Sequence, residues 1–196
     1  MIIDNKNKYR VCVIIPARGG SKRLKYKNIY PVMKKPMICW SIDACKNSKY
    51  VDFVCVSTED LKIEKTVQEY SEDIVIHKRE LKDSGDKVFK MVPIRNAYKT
   101  IQEKYGSYDI VISLQANSPQ ITGKIIDDAI ETFLKNDRNE LISVNNNLMQ
   151  NAAFRIMREH TVFQRELSTK CGFFVCELID VHTIEDVHLI EQQMRS

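Results

Sequence analysis

Short apolar runs of strand length alternate with helical patterns along most of this 196-residue chain. Residues 10–16 (RVCVIIP) carry a continuous apolar run, which is typical of a strand buried on both faces. Further strands are predicted at residues 51–56, 73–76, 109–114 and 141–144, and helices at residues 36–48, 61–70, 88–105, 123–136 and 183–194. This alternation predicts an α/β fold in which helices cover both faces of a mainly parallel sheet.

Residues 145–170 interrupt the alternation. They open with an asparagine-rich loop, and we expect short strands at residues 154–157 and 161–163 in an excursion from the main sheet. The length favours one domain over residues 1–196. Ligands of such sheets bind beyond the carboxyl ends of the strands. The loops to search are therefore residues 17–28, 57–60, 77–87, 115–121 and 180–182.

Positive charge is concentrated near the start of the chain. Between Asp4 and Asp43 there is no acidic residue, yet this stretch holds ten of the thirty lysines and arginines. The rest of the chain has 20 basic and 26 acidic residues, a net charge of −6. Such concentration indicates a focused anion site. Nucleic acid is not an expected partner, because the sequence shows neither interleaved aromatic residues nor a recognition helix.

The sequence predicts a reduced, cytoplasmic protein without a membrane partner. No run approaches the roughly 18 apolar residues of a membrane span, and the polar first ten residues lack the apolar core of a secretion signal. The six cysteines form no CxxC motif, and four of them lie within apolar runs, where thiols are ordinary buried hydrophobes.

The loop after the first predicted strand, PARGGSKRLKYKN, predicts a phosphate site. Gly19 and Gly20 allow a tight turn that exposes consecutive backbone N–H groups, which hold phosphate oxygens well. Arg18, Lys22 and Lys27 add the positive charge that a triphosphate requires. The loop matches neither the P-loop pattern nor the dinucleotide-binding GxGxxG pattern, so both of those site types are excluded.

Further short motifs accompany this loop. They are KP and WSI within residues 35–42, VSTED at 56–60, LQANSP at 114–119, CGFF at 171–174 and IDVHT at 179–183. Together with IPARGGSK and KN in residues 15–28, they resemble the motifs of the acylneuraminate (CMP-sialic acid) cytidylyltransferases, in the same order. The resemblance implies a three-layer α/β/α, Rossmann-like nucleotidyltransferase fold with a shortened dimerisation excursion at residues 145–170.

The resemblance also implies an enzyme that joins CTP to a sugar acid of the sialic, legionaminic or pseudaminic type, giving a CMP-sugar and pyrophosphate. It gives catalytic roles to Arg18, Lys27 and Asp180. It gives nucleotide-binding roles to Ala17, Arg18, Gly19, Gly20, Ser21, Lys22, Lys27, Asn28 and Asp86. It assigns the sugar acid to Gln115, Asn117 and Ser118, and a metal to Asp180 and His182. The implied metal is Mg²⁺, with Mn²⁺ as the alternative, and the implied assembly is a homodimer.

Two departures from the family pattern leave alternatives open. His182 stands where the family has a second aspartate, and histidine is a poor ligand for Mg²⁺. The site then uses Asp180 alone with water, prefers a softer metal, or has decayed. Lys78 or Arg79 stands in for the arginine with which the family approaches the base, unless both are solvated charges.

Two other functions remain open at this stage. One is a cytidylyltransferase for 3-deoxy-octulosonate or another small acceptor, which the short segment at residues 145–170 would suit. The other is a catalytically degenerate subunit that only binds CTP, which the change to His182 would explain.

Overall fold

The structure is a computed structural model and describes residues 9–85 and 87–195. These residues form nine strands and five helices. The strands are β1 (Val11–Pro16), β2 (Pro31–Val32), β3 (Lys35–Pro36), β4 (Phe53–Thr58), β5 (Val75–Lys78), β6 (Ile110–Leu114), β7 (Glu140–Val144), β8 (Gln150–Arg158) and β9 (Cys171–Val175). The helices are α1 (Met37–Lys46), α2 (Leu61–Tyr70), α3 (Met91–Tyr105), α4 (Gly123–Lys135) and α5 (Ile184–Arg195). Within these described ranges, no helix combines the length and the apolarity that crossing a membrane requires.

Seven of the strands form one mixed, mainly parallel sheet in the order β5-β4-β1-β6-β8-β7-β9. β1 pairs in parallel with both β4 and β6, β4 with β5, and β7 with β9. β8 is antiparallel to β6 and to β7. Because the chain runs from β1 to β4 on one side and returns to β6 on the other, the strand order reverses between β1 and β6. A crevice at the carboxyl ends of the strands is expected at such a reversal.

Helices cover the sheet on both faces, as the sequence predicts. β1 alternates: Val13 and Ile15 join a core that contains residues of α1, α2 and α4, whereas Cys12 and Ile14 join a second core built on α3. Every residue of β1 up to Ile15 is therefore buried, which explains its unbroken apolar run. The three-layer α/β/α architecture is confirmed.

The predicted helix at residues 61–70 is confirmed to the residue as α2. Asp60 fixes its start, because the Oδ1 of this N-cap residue accepts hydrogen bonds from the backbone N–H groups of Lys62 (2.8 Å) and Ile63 (3.1 Å). The helix predicted from residue 88 begins three residues later, at Met91, which leaves Pro93 in the first turn, where its missing N–H is tolerated.

Residues 145–170 differ from the prediction. The strand predicted at residues 154–157 is present, but it is part of a longer, nine-residue strand, β8, which lies between β6 and β7 in the main sheet and not in an excursion from it. The strand predicted at residues 161–163 is wrong, because the chain turns through a 3-10 helix at Glu159–Thr161. Ala152 has a left-handed φ of 58°, and the β7–β8 register shifts between Ile142 and Val144. This irregularity disturbs the alternation in the first part of β8, which the sequence did not predict. Participation of residues 145–170 in a dimer stays a prediction.

The six cysteines are free thiols, four of them buried. Burial raises the pKa of Cys39 and of Cys55 to about 12, which leaves these thiols protonated and unreactive at neutral pH. Their predicted role as small core hydrophobes is confirmed.

Gly123 opens α4 directly against the backbone at the end of α1. A Cβ at this position would lie 2.5 Å from the carbonyl oxygen of Asn47 and 2.9 Å from the backbone nitrogen of Ser48. We expect Gly123→Ala to lower the free energy of unfolding by about 1–3 kcal/mol through overpacking, although alanine favours a helix over glycine by about 1 kcal/mol. Urea unfolding followed by circular dichroism measures the change.

The matched control for this variant is Lys124→Ala, which changes the next residue in the same turn. Lys124 is exposed, so its replacement is expected to change the free energy of unfolding by less than about 0.5 kcal/mol. Equal losses in the two variants would contradict the steric argument.

Candidate functional site

A cleft of about 250 Å³, called the first cleft below, lies at the carboxyl ends of β1, β5 and β6. It therefore occupies the point where the strand order reverses. Among the described residues, its charged lining consists of the cations Arg18, Arg23, Lys27, Arg79 and Lys90 and the carboxylates Asp83 and Asp180. This surplus of positive charge suits a polyanionic ligand.

The loop that follows β1 is held by backbone contacts and by one buried carboxylate. The N–H of Ala17 donates to Ser57 O (2.9 Å), and the N–H of Ser21 donates to Gly19 O (2.9 Å). The N–H of Gly19 donates to Glu59 Oε1 (2.8 Å). A Cβ on Gly19 would lie 2.1 Å from Asp60 Oδ2 and 2.9 Å from Asp60 Cβ, so any other residue would displace the Asp60 side chain or the loop.

Arg18, Lys27 and Asn28 converge on the first cleft from this loop. Arg18 Nη1 donates to Ser84 O (3.4 Å), and Asn28 Nδ2 donates to Arg18 O (2.9 Å). Asn28 is buried, and its hydrogen bond to Arg18 O links the end of the loop to its beginning. Burial lowers the pKa of Lys27, and the nearby Asp180 partly opposes that shift by favouring the charged ammonium.

Arg79, and not Lys78, supplies a cation to the first cleft. The Arg79 side chain is 4% exposed, and its Nη2 donates to Ser57 O (2.7 Å). Lys78 is 76% exposed and pairs with Glu64 on α2 (3.3 Å). Burial lowers the pKa of Arg79, whereas the neighbouring Glu59 raises it. The sequence could not decide which of these two residues reaches the site. In the structure, the Lys78 side chain is exposed and the Arg79 side chain is buried.

Asp180 and His182 lie together at the edge of the first cleft. Arg23 Nη2 donates to His182 Nδ1 (3.1 Å), and because an arginine only donates, the ring nitrogen Nδ1 is the acceptor. The imidazole proton is therefore on Nε2, which lies 3.0 Å from Asp180 Oδ2. Asn117 Nδ2 donates to the other oxygen, Oδ1. Both oxygens of Asp180 are thus held by side chains of the protein.

This donor set offers one carboxylate to a metal ion. Among residues 9–85 and 87–195, no group of three or more His, Cys, Asp or Glu side chains is arranged to hold a metal. Mg²⁺ is commonly held by one or two carboxylates together with substrate phosphates and water. Asp180 could hold such an ion once phosphates are present, whereas the Nε2 of His182 is directed at Asp180. The assignment of a metal to Asp180 and His182 stays a prediction.

A second cleft, of about 650 Å³, adjoins the first. Val88, Lys90 and Gln115 line both. The Gln115 backbone is fixed on two sides, because its N–H donates to Ala153 O (2.9 Å) and its carbonyl accepts from Ser41 Oγ (2.8 Å). This residue therefore stands at the junction of the two clefts.

The structure brings most of the predicted site residues together, but not all of them. Those that line the first cleft are Arg18, Ser21, Lys27, Asn28, Gln115, Asn117, Asp180 and His182. Ala17 and Ser118 are buried, and Gly19, Gly20 and Lys22 are outside its lining. Asp86 lies outside the described residues. Sequence reasoning missed Arg23, Asp83 and Lys90. Arg23 and Asp83 fall in loops that it marked, at residues 17–28 and 77–87, and Lys90 falls in none.

Known structures share this fold. A CMP:2-keto-3-deoxy-manno-octonic acid synthetase complexed with CTP superimposes with a TM-score of 0.75 and 15% sequence identity, over 95% of this chain and 98% of that one. The nucleotidyltransferase architecture expected from the sequence is therefore confirmed at the level of the fold.

Sequence relatives point in the same direction. Pseudaminic acid cytidylyltransferase of Campylobacter jejuni subsp. jejuni serotype O:23/36 (strain 81-176) is 34% identical over 123 residues, which are 63% of this chain and 53% of that protein. CMP-N,N′-diacetyllegionaminic acid synthase of Campylobacter jejuni subsp. jejuni serotype O:2 (strain ATCC 700819 / NCTC 11168) is 34% identical over 110 residues, 56% of this chain and 46% of that protein. The chain thus spans about half the length of the curated relatives it matches.

The family pattern described as "Cytidylyltransferase" matches residues 12–169, which contain the whole loop after β1, the β4 end and the Gln115 junction. The resemblance seen in the short motifs is confirmed, and the chain belongs to the cytidylyltransferase family.

Proposed function

We propose that this protein transfers the cytidylyl group of CTP to a sugar acid of the nonulosonic type, giving a CMP-sugar and pyrophosphate. The observation that carries the proposal is the junction of a cationic cleft with a second, larger cleft at Gln115. The names of the pseudaminic and legionaminic relatives support this acceptor class.

In this proposal, the first cleft holds the triphosphate. Arg18 and Arg79 bring guanidinium groups to the first cleft, which suit phosphate oxygens, and Lys27 adds a further positive charge to its lining. A bound triphosphate favours the charged form of Lys27, which burial alone disfavours. Ser21 of the same loop lines the first cleft and adds a hydroxyl donor.

The reaction is an in-line displacement at the α-phosphorus. The anomeric hydroxyl oxygen of the acid forms a bond to this phosphorus, the bond to the bridging oxygen of the β-phosphate breaks, and pyrophosphate leaves with that oxygen. The hydroxyl proton passes to solvent or to a phosphate oxygen. Such a transfer depends on positioning and on neutralising negative charge, which the cations of the first cleft supply.

A Mg²⁺ ion, with Mn²⁺ as the alternative, belongs to the proposal. Asp180 would hold it, and when bound it neutralises charge on the phosphates. Asn117 and His182 keep the Asp180 carboxylate oriented through its two oxygens. This role resembles that of the hydrogen-bonded neighbours that orient metal ligands in other proteins.

We also propose a homodimer. Phe173 and Val175 lie on β9, the edge strand of the sheet, and are exposed on one side of it. Apolar side chains on an unpaired edge favour association with another chain. Light scattering coupled to size-exclusion chromatography measures the mass, and a monomer at micromolar concentration would contradict the proposal.

Pyrophosphate release is the direct test of the activity. Purified protein is incubated with CTP and Mg²⁺ or Mn²⁺ against pseudaminate, legionaminate, N-acetylneuraminate and 3-deoxy-octulosonate, with ATP, GTP and UTP as nucleotide controls. The expected result is release that needs both CTP and a nonulosonic acid. Release with any nucleotide alike, or without an acid, would contradict it.

Two alternatives give different outcomes in the same assay. Preference for 3-deoxy-octulosonate would favour the octulosonate enzyme, which the structural similarity to the CMP:2-keto-3-deoxy-manno-octonic acid synthetase supports. CTP binding without release for any acid would favour a subunit that only binds CTP, which the histidine at position 182 supports.

Arg79 and Lys78 form a matched pair for the triphosphate assignment. Arg79→Lys keeps the charge beside Glu59 but loses the guanidinium fork, so we expect kcat/KM for CTP to fall at least about tenfold, given that hydrogen bonds to charged groups contribute about 1.5–3 kcal/mol. Lys78→Met removes an exposed charge and is expected to leave kcat/KM within about twofold. Steady-state kinetics at saturating acid measure both, and equal losses would remove Arg79 from the site.

Gly19 and Gly20 test the shape of the loop. A Cβ on Gly19 collides with the Asp60 side chain, whereas a Cβ on Gly20 has nothing within 4 Å. Gly19→Ala is therefore expected to weaken CTP binding at least about tenfold, because charge-assisted contacts are lost when the loop shifts. Gly20→Ala should bind CTP as the unchanged protein does. Isothermal titration calorimetry with CTP distinguishes the two, and a weaker Gly20→Ala complex would contradict the argument.

Asp180 and His182 test the metal assignment. Asp180→Asn should raise the Mn²⁺ concentration needed for half-saturation by at least about tenfold, since even neighbours of metal ligands contribute about that much. His182→Asp supplies a second carboxylate and should lower the Mn²⁺ concentration needed for half-saturation. Water-proton relaxation by Mn²⁺ in the presence of a non-hydrolysable CTP analogue reads metal binding without turnover. Unchanged half-saturation in both variants would move the metal site elsewhere.

A further inference from the structure

His77 and Ser57 are neighbours on two strands that end beside the first cleft. β5 pairs in parallel with β4, and the register makes His77 the partner of Ser57. The Nδ1 of His77 lies 3.0 Å from Ser57 Oγ. Arg79, two residues beyond His77, donates from Nε to the same oxygen (3.4 Å) and from Nη2 to Ser57 O (2.7 Å). One hydroxyl thus connects a histidine outside the lining of the first cleft to a cation within it.

The direction of these hydrogen bonds follows from the chemistry of the donors. An arginine only donates, so Ser57 Oγ accepts from Arg79 Nε. Ser57 is fully buried, and among the described residues its hydroxyl has no hydrogen-bond partner besides His77 and Arg79. The hydroxyl therefore donates its proton to the Nδ1 of His77. That nitrogen is unprotonated, and the neutral ring carries its proton on Nε2.

The charges around His77 favour this neutral form. Burial lowers the pKa of His77, and the positive charge of Arg79 lowers it further. Asp83, in the turn that follows β5, raises this pKa, whereas Lys104 of α3 lowers it. From β4, Cys55 faces the His77 backbone as a thiol whose pKa is about 12 and which is therefore uncharged. The net effect keeps the ring neutral at neutral pH.

Protonation of His77 would reverse its part in this chain of hydrogen bonds. The Nδ1–H would then point at Ser57 Oγ, and the buried hydroxyl would lose the acceptor for its own proton. A buried donor without an acceptor is unfavourable, and a second positive charge would lie near Arg79. The Arg79 guanidinium would thus lose part of the support that holds it at the first cleft.

We propose that His77 is a positioning residue for CTP binding: in its neutral form it orients the Ser57 hydroxyl, which in turn holds the Arg79 guanidinium at the first cleft. The inference rests on the proposed function, because it concerns how CTP is held. It predicts that CTP binding weakens as His77 becomes protonated. A histidine that acted only as a nearby charge would do the opposite, because an added cation attracts a triphosphate. The sign of the pH dependence therefore separates positioning from simple attraction.

The first experiment compares the unchanged protein with His77→Asn from about pH 8 to about pH 5, the range in which histidine titrates. The amide oxygen of asparagine accepts from Ser57 as Nδ1 does, but it does not titrate. Isothermal titration calorimetry gives Kd for CTP in both proteins. The ratio of the two Kd values cancels the titration of CTP itself and of His182, which both proteins share.

We expect the two Kd values to agree within about twofold at the upper pH. At the lower pH, Kd of the unchanged protein should be at least about threefold above that of His77→Asn, because only the neutral fraction binds fully. A constant ratio, or tighter binding by the unchanged protein at the lower pH, would overturn the proposal.

A double-mutant cycle tests the route through Ser57. His77→Phe keeps a flat ring but offers no acceptor, and we expect it to raise Kd for CTP at least about fivefold at neutral pH, as does Ser57→Ala. Adding His77→Phe to Ser57→Ala should then raise Kd by less than about twofold. Fully additive losses would mean that His77 acts without Ser57 and would overturn the proposal.

The control for both experiments is His160→Asn. His160 is exposed and lines neither cleft. Its replacement is expected to leave Kd for CTP within about twofold of that of the unchanged protein at every pH, as for other surface substitutions. A pH-dependent ratio as large as that of His77→Asn would show that the effect is not specific to His77 and would overturn the proposal.

NMR of isotope-labelled histidine side chains tests the chain of hydrogen bonds without CTP. The His77 signals, identified by their loss in His77→Asn, should show a protonated Nε2 and an unprotonated Nδ1 at neutral pH. A proton on Nδ1 would overturn the proposal. If the unchanged protein binds no CTP at any pH, the proposed function fails, and the role of His77 in CTP binding fails with it. If CTP binds but the Kd ratio stays constant, only the role of His77 fails.

Discussion

The buried carboxylate of Glu59 links the parts from which the first cleft is built. Its Oε1 accepts from the N–H of Gly19, and its Oε2 lies 3.9 Å from Arg79 Nη1 with no hydrogen-bond partner among the described residues. The loop after β1, the end of β4 and the end of β5 therefore meet at one negative group. Removing one member of a buried ion pair costs about 3–5 kcal/mol, because the other charge stays uncompensated. The cations of the first cleft are close to one another, and Glu59 offsets part of their mutual repulsion.

Arg79 also shows how much of the site could be predicted. The segment HKRE presents two adjacent cations, and strand alternation requires that they point to opposite sides. The backbone N–H of Arg79 continues the β4–β5 pairing by donating to Thr58 O (2.9 Å). Which of the two cations is buried depends on the register of β5 against β4, and that register is set by contacts between distant segments. The alternation indicates that one of these two cations is buried and the other exposed, but it cannot decide which one.

β1 and α2 were predictable because their signals are local. The apolar run of β1 is long enough for a strand buried on both faces, and Asp60 marks the start of α2 by its capping chemistry. β8 was predicted only over residues 154–157, because the irregularity at Ala152 disturbs the alternation in the first part of the strand. The contact of His182 with Arg23 joins residues 159 positions apart, so no spacing rule could indicate it. The features that could not be predicted are therefore those that depend on contacts between distant segments of the chain.

The two clefts meet at Gln115, whose backbone is held on two sides. Gln115 is fixed through its backbone N–H by β8 and through its carbonyl by α1, so the junction cannot widen without disturbing both layers. An in-line displacement gains most of its rate from holding two reactants in a fixed relation, to the extent of about 7–11 kcal/mol in favourable cases. In the proposed reaction, the cations of the first cleft hold CTP on the β1 side of β6, and the second cleft lies on the β8 side. The geometry of the sheet around β6 therefore sets the distance between the two clefts.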